Sequence, residues 1–435
     1  MHRYYIWTIG CQMNKADSES IAAFLEGMGY SSTSKIDDAD IVLLNSCVVR
    51  QSAEDRVANK IDALQRLDRS KALAVTGCLV DPDIDSLRRR FPRVDLFFAP
   101  QDISSLSAYL EDRKMIESAP FAQASRRKPE PSALVNIMHG CDNFCAYCIV
   151  PYRRGREESR PMAEIVDEVR SVVERGAREV VLLGQNVNSY GRGLPGEPAL
   201  ADLLEELNRV DELYRIRFLT SHPKDMNDGL IEAIARLDKV CEHLSLPFQA
   251  GDDDILRSMR RGYTSENYRS LVERIRRDMP DIALSTDVIV GFPGESEAQF
   301  LKSYRMIEDV RFDTVHIACY SPRSGTTAAR ELVDDVPSDE KVRRRKALED
   351  LQEIIAAEIN AGLMGQVVEV LVEGRKKGKW WGRTRTDKLV FFEDGSDRFG
   401  WLIDVKIDKT GPWSLQGEIE NKGDGRSLFA SRVKK

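Results

Sequence analysis

The sequence predicts an α/β protein in three parts: an N-terminal parallel-sheet α/β domain, a central partial (β/α)6 barrel and a small C-terminal all-β barrel. Short apolar runs rich in β-forming residues alternate with helical patterns through residues 1–100. The alternation recurs six times between residues 133 and 320, whereas residues 361–435 hold only short strand-like runs separated by turns. Strands that alternate with helices form mostly parallel sheets, and short strands without intervening helices form small barrels or sandwiches.

Composition places the boundaries between these parts. Residues 118–132, "SAPFAQASRRKPEPS", contain three prolines and no periodicity, which indicates a linker. Residues 361–435 contain 15 Lys+Arg and 11 Asp+Glu, a charge of +4. Because the net charge of the whole chain is −7, the remaining residues carry a charge of −11. We therefore predict a domain over 1–118, a linker over 119–132, a core over 133–360 and a separate module over 361–435.

In the first part, a cysteine follows each predicted strand. The strand-like runs are 3–7, 40–45 and 72–76, and the helical patterns between them are 15–29 and 50–69. Cys11, Cys47 and Cys78 come after the first, second and third run. Because the carboxyl ends of parallel strands meet at one edge of a sheet, where ligands bind, we expect these three cysteines to meet in space.

The central part contains six predicted strands, and its chemistry should lie at their carboxyl ends. The runs are 133–138, 179–184, 214–219, 242–246, 282–290 and 312–320, and a basic helix over 338–360 follows them. In the last part, residues 365–374, 380–386, 388–393 and 400–419 are predicted to form short strands with turns. Cys141 comes shortly after the first central strand, as a ligand at a strand end should.

Hydropathy and the N-terminal sequence predict a cytoplasmic protein. No run approaches the ~18 apolar residues of a membrane span, and the N-terminus "MHRYYIWTIGCQMN" lacks the apolar core of a secretory signal. Thiols stay reduced in the cytosol. The eight cysteines, three of them clustered, therefore favour metal ligation over disulfides.

The clustered cysteines are Cys141, Cys145 and Cys148, spaced C-x3-C-x2-C within "HGCDNFCAYCIVPYRRGR". Three thiolates on one loop can hold three irons of a [4Fe–4S] cube and leave the fourth iron without a protein ligand. The alternative is a zinc site completed by a nearby His or Cys. His139 precedes Cys141 by two residues, but ligands so close rarely suit tetrahedral zinc, and zinc loops more often use C-x2-C pairs.

A C-x3-C-x2-C loop after the first strand of a β/α barrel resembles the radical S-adenosylmethionine (SAM) superfamily. Other segments resemble the methylthiotransferases within it, and most closely the MiaB group that modifies tRNA. The resemblance covers nearly the whole chain, and its last part is similar to the TRAM module, an RNA-binding β-barrel. The segments are "TIGCQMNKADSE", "LNSCVVRQSAEDRV", "VTGCLV", "LLGQNVNSYG", "LPFQAGDDDIL", "DVIVGFPGE" and "IDVKIDKTGPWSLQGEI".

The resemblance implies two [4Fe–4S] clusters. At the cluster of Cys141, Cys145 and Cys148, the open iron would bind SAM, and reduction would cleave SAM to a 5′-deoxyadenosyl radical. Cys11, Cys47 and Cys78 would hold an auxiliary cluster associated with sulfur insertion. The implied reaction is methylthiolation at C2 of N6-(dimethylallyl)adenosine at position 37 of the tRNA anticodon loop. The implied partners are tRNA and an electron donor such as flavodoxin or ferredoxin, with the sulfur source left open.

Several alternatives stay open at the level of sequence. Each N-terminal cysteine alone suits a buried core thiol, although three at equivalent strand ends make coincidence improbable. Cys241 and Cys319 lie in or near central strands without partners, and we predict core positions for both. Rival functions are methylthiolation of threonylcarbamoyl-adenosine in tRNA, methylthiolation of a ribosomal protein aspartate, and a non-catalytic RNA-binding protein with structural zinc.

Polar loops after the central strands are predicted SAM contacts. Gly184, Gln185 and Asn186 follow the second central strand, Gln249 follows the fourth, and Gly291 follows the fifth. Without the cysteines, each loop would be an ordinary strand-to-helix turn. Glycine at 291 would let the backbone approach the adenine closely.

Two basic segments are predicted to contact RNA. Residues 152–157, "YRRGRE", adjoin the cysteine loop and suit phosphate contacts, with a solvated surface as the alternative. Residues 374–388 hold seven basic residues, one acid, and the consecutive Trp380 and Trp381. Adjacent residues on a strand face opposite sides, so at least one tryptophan should lie outside the barrel core and be able to stack on a base.

Overall fold

A computed structural model of the chain describes residues 2–47, 51–64, 68–80, 83–115 and 130–420. Most of the predicted linker, 119–129, lies outside the described residues, as does 421–435 of the predicted last module. Across the described part, no helix combines the length and apolarity needed to cross a membrane. The chain divides into two compact units. The first comprises Met1–Lys128, Gly140–Asp142 and Cys148–Arg156, and the second comprises Pro129–His139, Asn143–Tyr147 and Glu157–Lys435.

The first unit is built on a parallel sheet with the strand order β2-β1-β3-β4-β5 in its described residues. The strands are β1 (Arg3–Ile9), β2 (Ser31–Ser32), β3 (Ile41–Ser46), β4 (Ala72–Gly77) and β5 (Leu96–Phe97). The helices are α1 (Gln12–Gly27), α2 (Gln51–Ala63), α3 (Ile84–Arg90), α4 (Ile103–Asp112) and the short α5 (Val150–Arg154). The three predicted strands and both helical patterns are confirmed.

In the middle of this first sheet, β3 and β4 are buried along their whole length. Alternate residues of β3 face opposite sides: Val42 belongs to one apolar cluster together with Val57 of α2, and Leu43 belongs to another together with Leu25 of α1. A parallel sheet covered by helices on both faces requires such continuous apolar strands. This burial also fixes the register of the strands, because a one-residue slip would reverse every side chain.

The second unit contains the six predicted central strands. They form two parallel three-stranded sheets, with the orders β10-β9-β6 and β11-β12-β13. The strands are β6 (Ser132–Asn136), β9 (Glu179–Leu183), β10 (Arg215–Phe218), β11 (His243–Ser245), β12 (Ala283–Val290) and β13 (Thr314–Cys319), and β7 (Met138–His139) pairs antiparallel with β8 (Glu158–Ser159). A parallel bridge between Ile216 and Val240 connects the two sheets, so the strands follow one another in chain order.

Helices separate the central strands, as the sequence predicts. They are α6 (Met162–Glu174), α7 (Leu200–Asn208), α8 (Asp228–Arg236), α9 (Asp253–Ser258), α10 (Ser265–Asp278), α11 (Glu297–Val310), α12 (Thr327–Glu331) and α13 (Ser338–Ala361). The apolar faces of α6, α7, α8, α10, α11 and α13 pack on the strands in one core that includes Leu182, Leu204, Leu284 and Phe300. The buried apolar residues of α9 and α12 belong to a separate, smaller cluster. The basic helix predicted over 338–360 is confirmed as α13.

The last strands close into a barrel with the order β14-β15-β16-β18-β17. They are β14 (Val367–Lys376), β15 (Lys379–Arg383), β16 (Leu389–Phe392), β17 (Leu402–Thr410) and β18 (Leu415–Ile419). The barrel closes because β14 pairs with both β15 and β17. Its interior includes Val370, Trp380 and Phe392. The predicted small all-β barrel is therefore confirmed.

Within the second unit, polar contacts join this terminal barrel to the central strands. The fully buried Arg215 of β10 places Nη2 2.8 Å from Oε1 of Glu369 and donates from Nη1 to the carbonyl oxygen of Arg383 at 2.8 Å. Lys388 also pairs with Asp313. Arg383 and Lys388 belong to the segment that the sequence predicts to contact RNA, yet both contribute to an internal contact.

Candidate active site

The three N-terminal cysteines lie at one edge of the first unit's sheet. Cys11 comes two residues after β1, and Cys47 and Cys78 come one residue after β3 and β4. The last residues of these strands are register neighbours, because Ile9 pairs with Ser46 and Ser46 pairs with Gly77. Cys47 and Cys78 are buried and Cys11 is exposed. The strand ends are therefore brought together as expected, and the role of the three thiols as iron ligands stays a prediction.

Glycines before two of these cysteines allow the close approach. A Cβ on Gly10 would lie 2.8 Å from the Cβ of Cys47 and 2.3 Å from Oδ1 of Asn14. Gly77 has φ of +93°, and a Cβ there would lie 2.3 Å from the carbonyl oxygen of Ser46. Any larger residue at either position would push the strand ends apart, since contacts below 3.0 Å are not tolerated.

A buried amide network supports the same edge. Asn14 is fully buried; its Oδ1 accepts from the Cys11 thiol at 3.4 Å, and its Nδ2 donates to Oδ1 of Asn45 at 2.9 Å. Asn45 donates in turn to the hydroxyl of Ser18 at 2.9 Å and to the backbone carbonyl of Asn14 at 2.8 Å. Buried polar groups are tolerated when they are satisfied in this way. The network ties α1 to β3, and sequence reasoning missed it.

Cys78 is also contacted by a buried arginine. Arg154, at the end of α5, donates from Nε to the Cys78 sulfur at 3.3 Å and from Nη2 to Oδ2 of Asp17 at 2.8 Å. Burial raises the pKa of the Cys78 thiol, and the Arg154 charge opposes that shift. Burial also opposes the charged form of Arg154, but Cys78 and Asp17 together hold the pKa of its guanidinium above the ordinary value.

This position of Arg154 corrects one expectation from the sequence. The pattern of residues 152–157 predicts arginines that contact RNA phosphates or form a solvated surface, but Arg154 is only 6% exposed and points into the protein. Arg156 is exposed and forms two hydrogen bonds with the carboxylate of Asp142, at 2.7 and 3.0 Å. In this segment, therefore, burial separates Arg154 from any role in RNA binding.

Cys141, Cys145 and Cys148, the motif cysteines, lie in the loop between β7 and α5. Each of the two units contains part of that loop. In the first unit, the Cys141 amide donates to the Gly155 carbonyl at 3.2 Å. The preceding Gly140 has φ of +70°, and a Cβ there would lie 1.9 Å from the carbonyl oxygen of Arg156. Cys141 and Cys145 are buried, and Cys148 is half-buried.

In the second unit, Cys145 is contacted by a second buried arginine. Arg261 donates from Nη1 to the Cys145 sulfur at 3.4 Å, from Nη2 to the Pro247 carbonyl at 3.0 Å and from Nε to the Tyr263 hydroxyl at 3.0 Å. Burial lowers the pKa of Arg261, but the neighbouring tyrosines and Cys145 raise it well above its ordinary value. A permanent positive charge therefore lies beside one motif thiol, and no pattern in the sequence indicates it.

Buried polar atoms without partners follow three neighbouring strands. Gln185 and Asn186 follow β9, Ser221 and His222 follow β10, and Gln249 follows β11. Each has a buried side-chain oxygen or nitrogen that makes no hydrogen bond with the part of the chain that the structure describes. Leaving such a group unsatisfied costs about 1–3 kcal/mol, so several at one strand edge indicate a place built for a polar ligand.

His222 presents a neutral hydrogen-bond donor. Its Nδ1 accepts from the Lys224 amide at 3.2 Å, so the proton of the neutral ring resides on Nε2, which has no partner among the described residues. Burial, with the charges of Arg261 and Lys224, lowers the pKa of His222 to about 2. Thr220 and Gln249, at the same strand ends, have φ of +69° and +67°, a strained conformation that is concentrated at functional sites.

The predicted contacts differ in what the structure shows of them. Gln185, Asn186 and Gln249 belong to the set with unsatisfied oxygens described above. Gly184 packs closely, because a Cβ there would lie 2.5 Å from Cγ of Met138. At Gly291 the space for a Cβ is filled by the Lys341 side chain, and the Gly291 amide donates to Glu295 at 2.6 Å. Its amide is therefore already used within the protein.

The residues present fit iron–sulfur clusters. Among the described residues, no three Cys, His, Asp or Glu side chains are close enough to hold a single metal ion. Such close grouping of ligands is needed at a site for a single ion such as zinc, where every ligand binds the same ion about 2.0–2.3 Å away. In a four-iron cube each thiolate binds a different iron, so the thiolates stand further apart. Two sets of three thiols have the donor chemistry of such clusters.

Three segments of the chain match described families. Residues 135–307 match the radical SAM superfamily, residues 3–99 match "Uncharacterized protein family UPF0004", and residues 363–419 match the TRAM domain. Two solved structures show the same fold at low identity. They are the radical S-adenosylmethionine methyltransferase TsrM from Kitasatospora setae (TM-score 0.55, 12% identity, 76% of this chain and 74% of that chain) and the cobalamin-dependent radical enzyme OxsB (TM-score 0.51, 10% identity, 80% and 56%).

These matches, with a C-x3-C-x2-C loop that follows the first central strand in the chain, define an enzyme of the radical SAM superfamily, which implies one [4Fe–4S] cluster and SAM. Proteins named tRNA-2-methylthio-N(6)-dimethylallyladenosine synthase are similar along nearly the whole chain. Those from Dehalococcoides mccartyi strain CBDB1 and Roseiflexus sp. are 53% and 49% identical, over 97% and 96% of this chain and 99% and 89% of their own. The chain belongs to the family of tRNA-2-methylthio-N(6)-dimethylallyladenosine synthases.

Proposed function

We propose that this chain synthesises 2-methylthio-N6-dimethylallyladenosine in tRNA, by replacing the C2 hydrogen of the prenylated adenine at position 37 with a methylthio group. The observation that carries the proposal is 53% identity over 97% of the chain to a relative of that name. The similarity runs through all three matched segments, so it supports a shared reaction and not only a shared domain. The C2 hydrogen is not acidic, which is why base catalysis cannot remove it.

Cys141, Cys145 and Cys148 would hold the [4Fe–4S] cluster of the radical reaction and leave one iron open for the amino and carboxylate groups of SAM. When bound, this cluster supplies the electron that cleaves SAM to the 5′-deoxyadenosyl radical. The chain's own contribution is to hold the thiols. Arg261 fixes Cys145 through a charge-assisted hydrogen bond and is itself anchored by the Pro247 carbonyl.

The unsatisfied groups at the strand ends would orient SAM and the adenine. The free oxygens of Gln185, Asn186 and Gln249 accept hydrogen bonds, and Nε2 of His222 donates one. The amide oxygens of the first three residues carry no net charge. Burial keeps the pKa of His222 at about 2, so its ring is neutral as well. These four groups can therefore fix orientation without competing electrostatically with the charges of SAM.

Cys11, Cys47 and Cys78 would hold a second [4Fe–4S] cluster, whose open iron suits binding of the sulfur that is inserted. One SAM would supply the methyl group and another the radical. We propose that residues 1–118 house this second cluster, 133–360 the radical chemistry, and 361–435 the tRNA contact, with 119–132 as linker. The electron donor, such as flavodoxin or ferredoxin, and the sulfur source would come from the cytoplasm.

The test is mass spectrometry of tRNA nucleosides from a strain that lacks the gene. The strain should accumulate N6-dimethylallyladenosine, and the wild-type chain should restore its 2-methylthio derivative, whereas Cys141→Ala should not. The matched control is Cys319→Ala, since Cys319 is a half-buried thiol of β13 whose sulfur donates to the Lys341 carbonyl at 3.5 Å. This control should restore the modification.

The same strain separates the rival functions. Loss of the methylthio derivative of threonylcarbamoyl-adenosine, with the prenylated nucleoside unaffected, would replace the proposed substrate. An unmodified ribosomal protein aspartate with normal tRNA would point to the protein-modifying reaction. A purified, colourless, zinc-containing protein with no effect on any of these products would indicate a non-catalytic RNA-binding protein.

A further inference from the structure

Arg154 forms a buried bridge between a carboxylate and a candidate ligand of the second cluster. Its guanidinium lies 2.8 Å from Oδ2 of Asp17 and 3.3 Å from the sulfur of Cys78. Arg154 and Asp17 are each 6% exposed and Cys78 is 4% exposed. A guanidinium is always charged and has a rigid fork of donors, so it can serve the carboxylate and the sulfur at the same time.

The buried position of Arg154 strengthens the effect of its positive charge. Inside a protein the dielectric is low, so a hydrogen bond or a charge acts more strongly than in water. Metal ligation requires Cys78 as a thiolate, and a hydrogen bond to a charged acceptor is about twice as strong as a neutral one. The Asp17 carboxylate offsets part of the Arg154 charge, so the two residues act on the thiolate in opposite directions.

We propose that Arg154 is a positioning residue for the second cluster: it holds Cys78 in place and raises the cluster's reduction potential. The inference rests on the proposed function, in which Cys11, Cys47 and Cys78 hold a cluster. Hydrogen bonds to the sulfurs and nearby charge set the potential of such clusters. A positive charge favours the reduced state, because reduction adds an electron. Arg154 lies six residues after Cys148, so this short stretch would provide a ligand to one cluster and tune the other.

The experiment isolates the second cluster in a background with Cys141, Cys145 and Cys148 all changed to Ala. After anaerobic reconstitution, iron content is measured and the cluster is titrated with a redox mediator while its reduced form is followed by electron paramagnetic resonance. Arg154→Gln should shift the reduction equilibrium at least tenfold against reduction, about 59 mV for one electron. Arg154→Lys keeps the charge and should recover part of the shift.

Two further variants separate tuning from simple stability. Arg93 is a matched control: it is 8% exposed, lies in the same unit and pairs with Asp95 at 2.8 Å, but its hydrogen bonds go to oxygens and not to a thiol. Arg93→Gln should lower the melting temperature without changing the potential. Asp17→Asn removes the opposing negative charge and should move the potential upward, in the direction opposite to Arg154→Gln.

The outcomes distinguish the inference from the function on which it rests. A background protein that retains no iron would overturn the second cluster itself. A background protein with about four irons, in which Arg154→Gln and Asp17→Asn both keep the parent potential, would overturn the inference alone. If Arg154→Gln fails to assemble a cluster, Asp17→Asn decides: an upward shift of the potential supports the tuning role, and an unchanged potential refutes it.

Discussion

The guanidinium of Arg385 and the carboxylate of Glu242 are joined by two hydrogen bonds, each 2.7 Å long. Arg385 follows β15 of the terminal barrel, and Glu242 directly precedes β11 of the central strands. Arg385 also donates to the Val240 carbonyl at 2.6 Å. A bidentate pair with a further backbone bond has defined geometry, which isolated surface ion pairs lack. This pair therefore helps to fix the barrel on the central strands.

We predict that Arg385→Ala destabilises the chain by about 1–2 kcal/mol, a value reduced because the Glu242 side chain is 43% exposed. Chemical denaturation followed by fluorescence would measure the change. The control is Arg257→Ala, whose partner Asp254 and own side chain are both more than 70% exposed, so that the pair should contribute less than about 0.5 kcal/mol. Equal effects of the two variants would contradict the docking role of Arg385.

Buried His243 should make stability depend on pH. Burial lowers its pKa from 6.5 to about 4, against the opposing effect of the Asp387 carboxylate and with Arg217 acting in the same direction as burial. The unfolded state then takes up a proton before the folded state does, so the stabilisation is complete above pH 6.5 and is lost as pH falls toward 4. In the wild type, His243 should lower the free energy of unfolding by a total on the order of 3 kcal/mol between these pH values. We predict that His243→Gln removes this contribution and so makes the decline less steep.

The measurement is a series of denaturant titrations from pH 7 to pH 4. Exposed His316 on β13 provides the matched control, and His316→Gln should keep the wild-type slope. A His243→Gln protein whose stability falls as steeply as that of the wild type would show that His243 takes up its proton equally in both states.

Local patterns predict the strands and the positions of the cysteines because short-range physics sets both. The apolar runs of β3 and β4 identify buried parallel strands, and such strands bring Cys47 and Cys78 to one edge. The contacts that buried arginines make with cysteine sulfurs are not local. Arg154 and Cys78 are 76 residues apart, and Arg261 and Cys145 are 116 residues apart. No periodicity in the sequence records which buried arginine meets which sulfur.

The tryptophan pair shows a second limit. Strand alternation requires Trp380 and Trp381 to face opposite sides, but it does not say which one faces inward. The structure places Trp380 in the barrel core at 5% exposure, with Nε1 donating to the Asp394 carbonyl at 3.2 Å. Trp381 is half-buried and lies over Gly374, where a Cβ would meet its ring at 2.9 Å. The register that decides this comes from the partner strands β14 and β16.

The hairpin between β14 and β15 remains suited to phosphate contact, because Lys376 and Lys377 are exposed there. Changing both to Ala should flatten the salt dependence of tRNA binding by about 0.7–0.9 log units per log unit of salt for each phosphate that the variant no longer binds. The control is Lys346→Ala, an exposed lysine of α13 that pairs with Asp350. Identical slopes for the hairpin variant and the wild type would exclude these two lysines from phosphate binding.

Replacing Trp413 should affect tRNA binding, whereas replacing Trp380 should affect the stability of the fold. Trp413 is 58% exposed in the turn between β17 and β18, so we predict that Trp413→Ala weakens tRNA binding by about 1–3 kcal/mol, the value of one stacked base, with little change in melting temperature. Trp380→Ala should instead destabilise the fold by about 3–5 kcal/mol, because it empties the barrel core. Filter binding and thermal denaturation of both variants would check this, and unchanged binding by Trp413→Ala would contradict stacking at that residue.

The two sets of cysteines should separate SAM cleavage from sulfur insertion. The reconstituted wild-type chain should hold about eight irons, and changing either set of three to Ala should leave about four. Without Cys141, Cys145 and Cys148, no 5′-deoxyadenosine should form, because no open iron binds and reduces SAM. Without Cys11, Cys47 and Cys78, SAM cleavage should continue while the methylthio product disappears.

Iron analysis and chromatography of 5′-deoxyadenosine and modified tRNA would measure all three quantities on the same preparations. Cys319→Ala is the control, and it should keep about eight irons and both activities, because a single half-buried thiol of β13 belongs to neither set. Circular dichroism of each variant would establish that the first unit is still folded, since Cys47 and Cys78 are buried there. A folded variant that lacks the N-terminal set but still forms the methylthio product would refute the role of these cysteines in sulfur insertion.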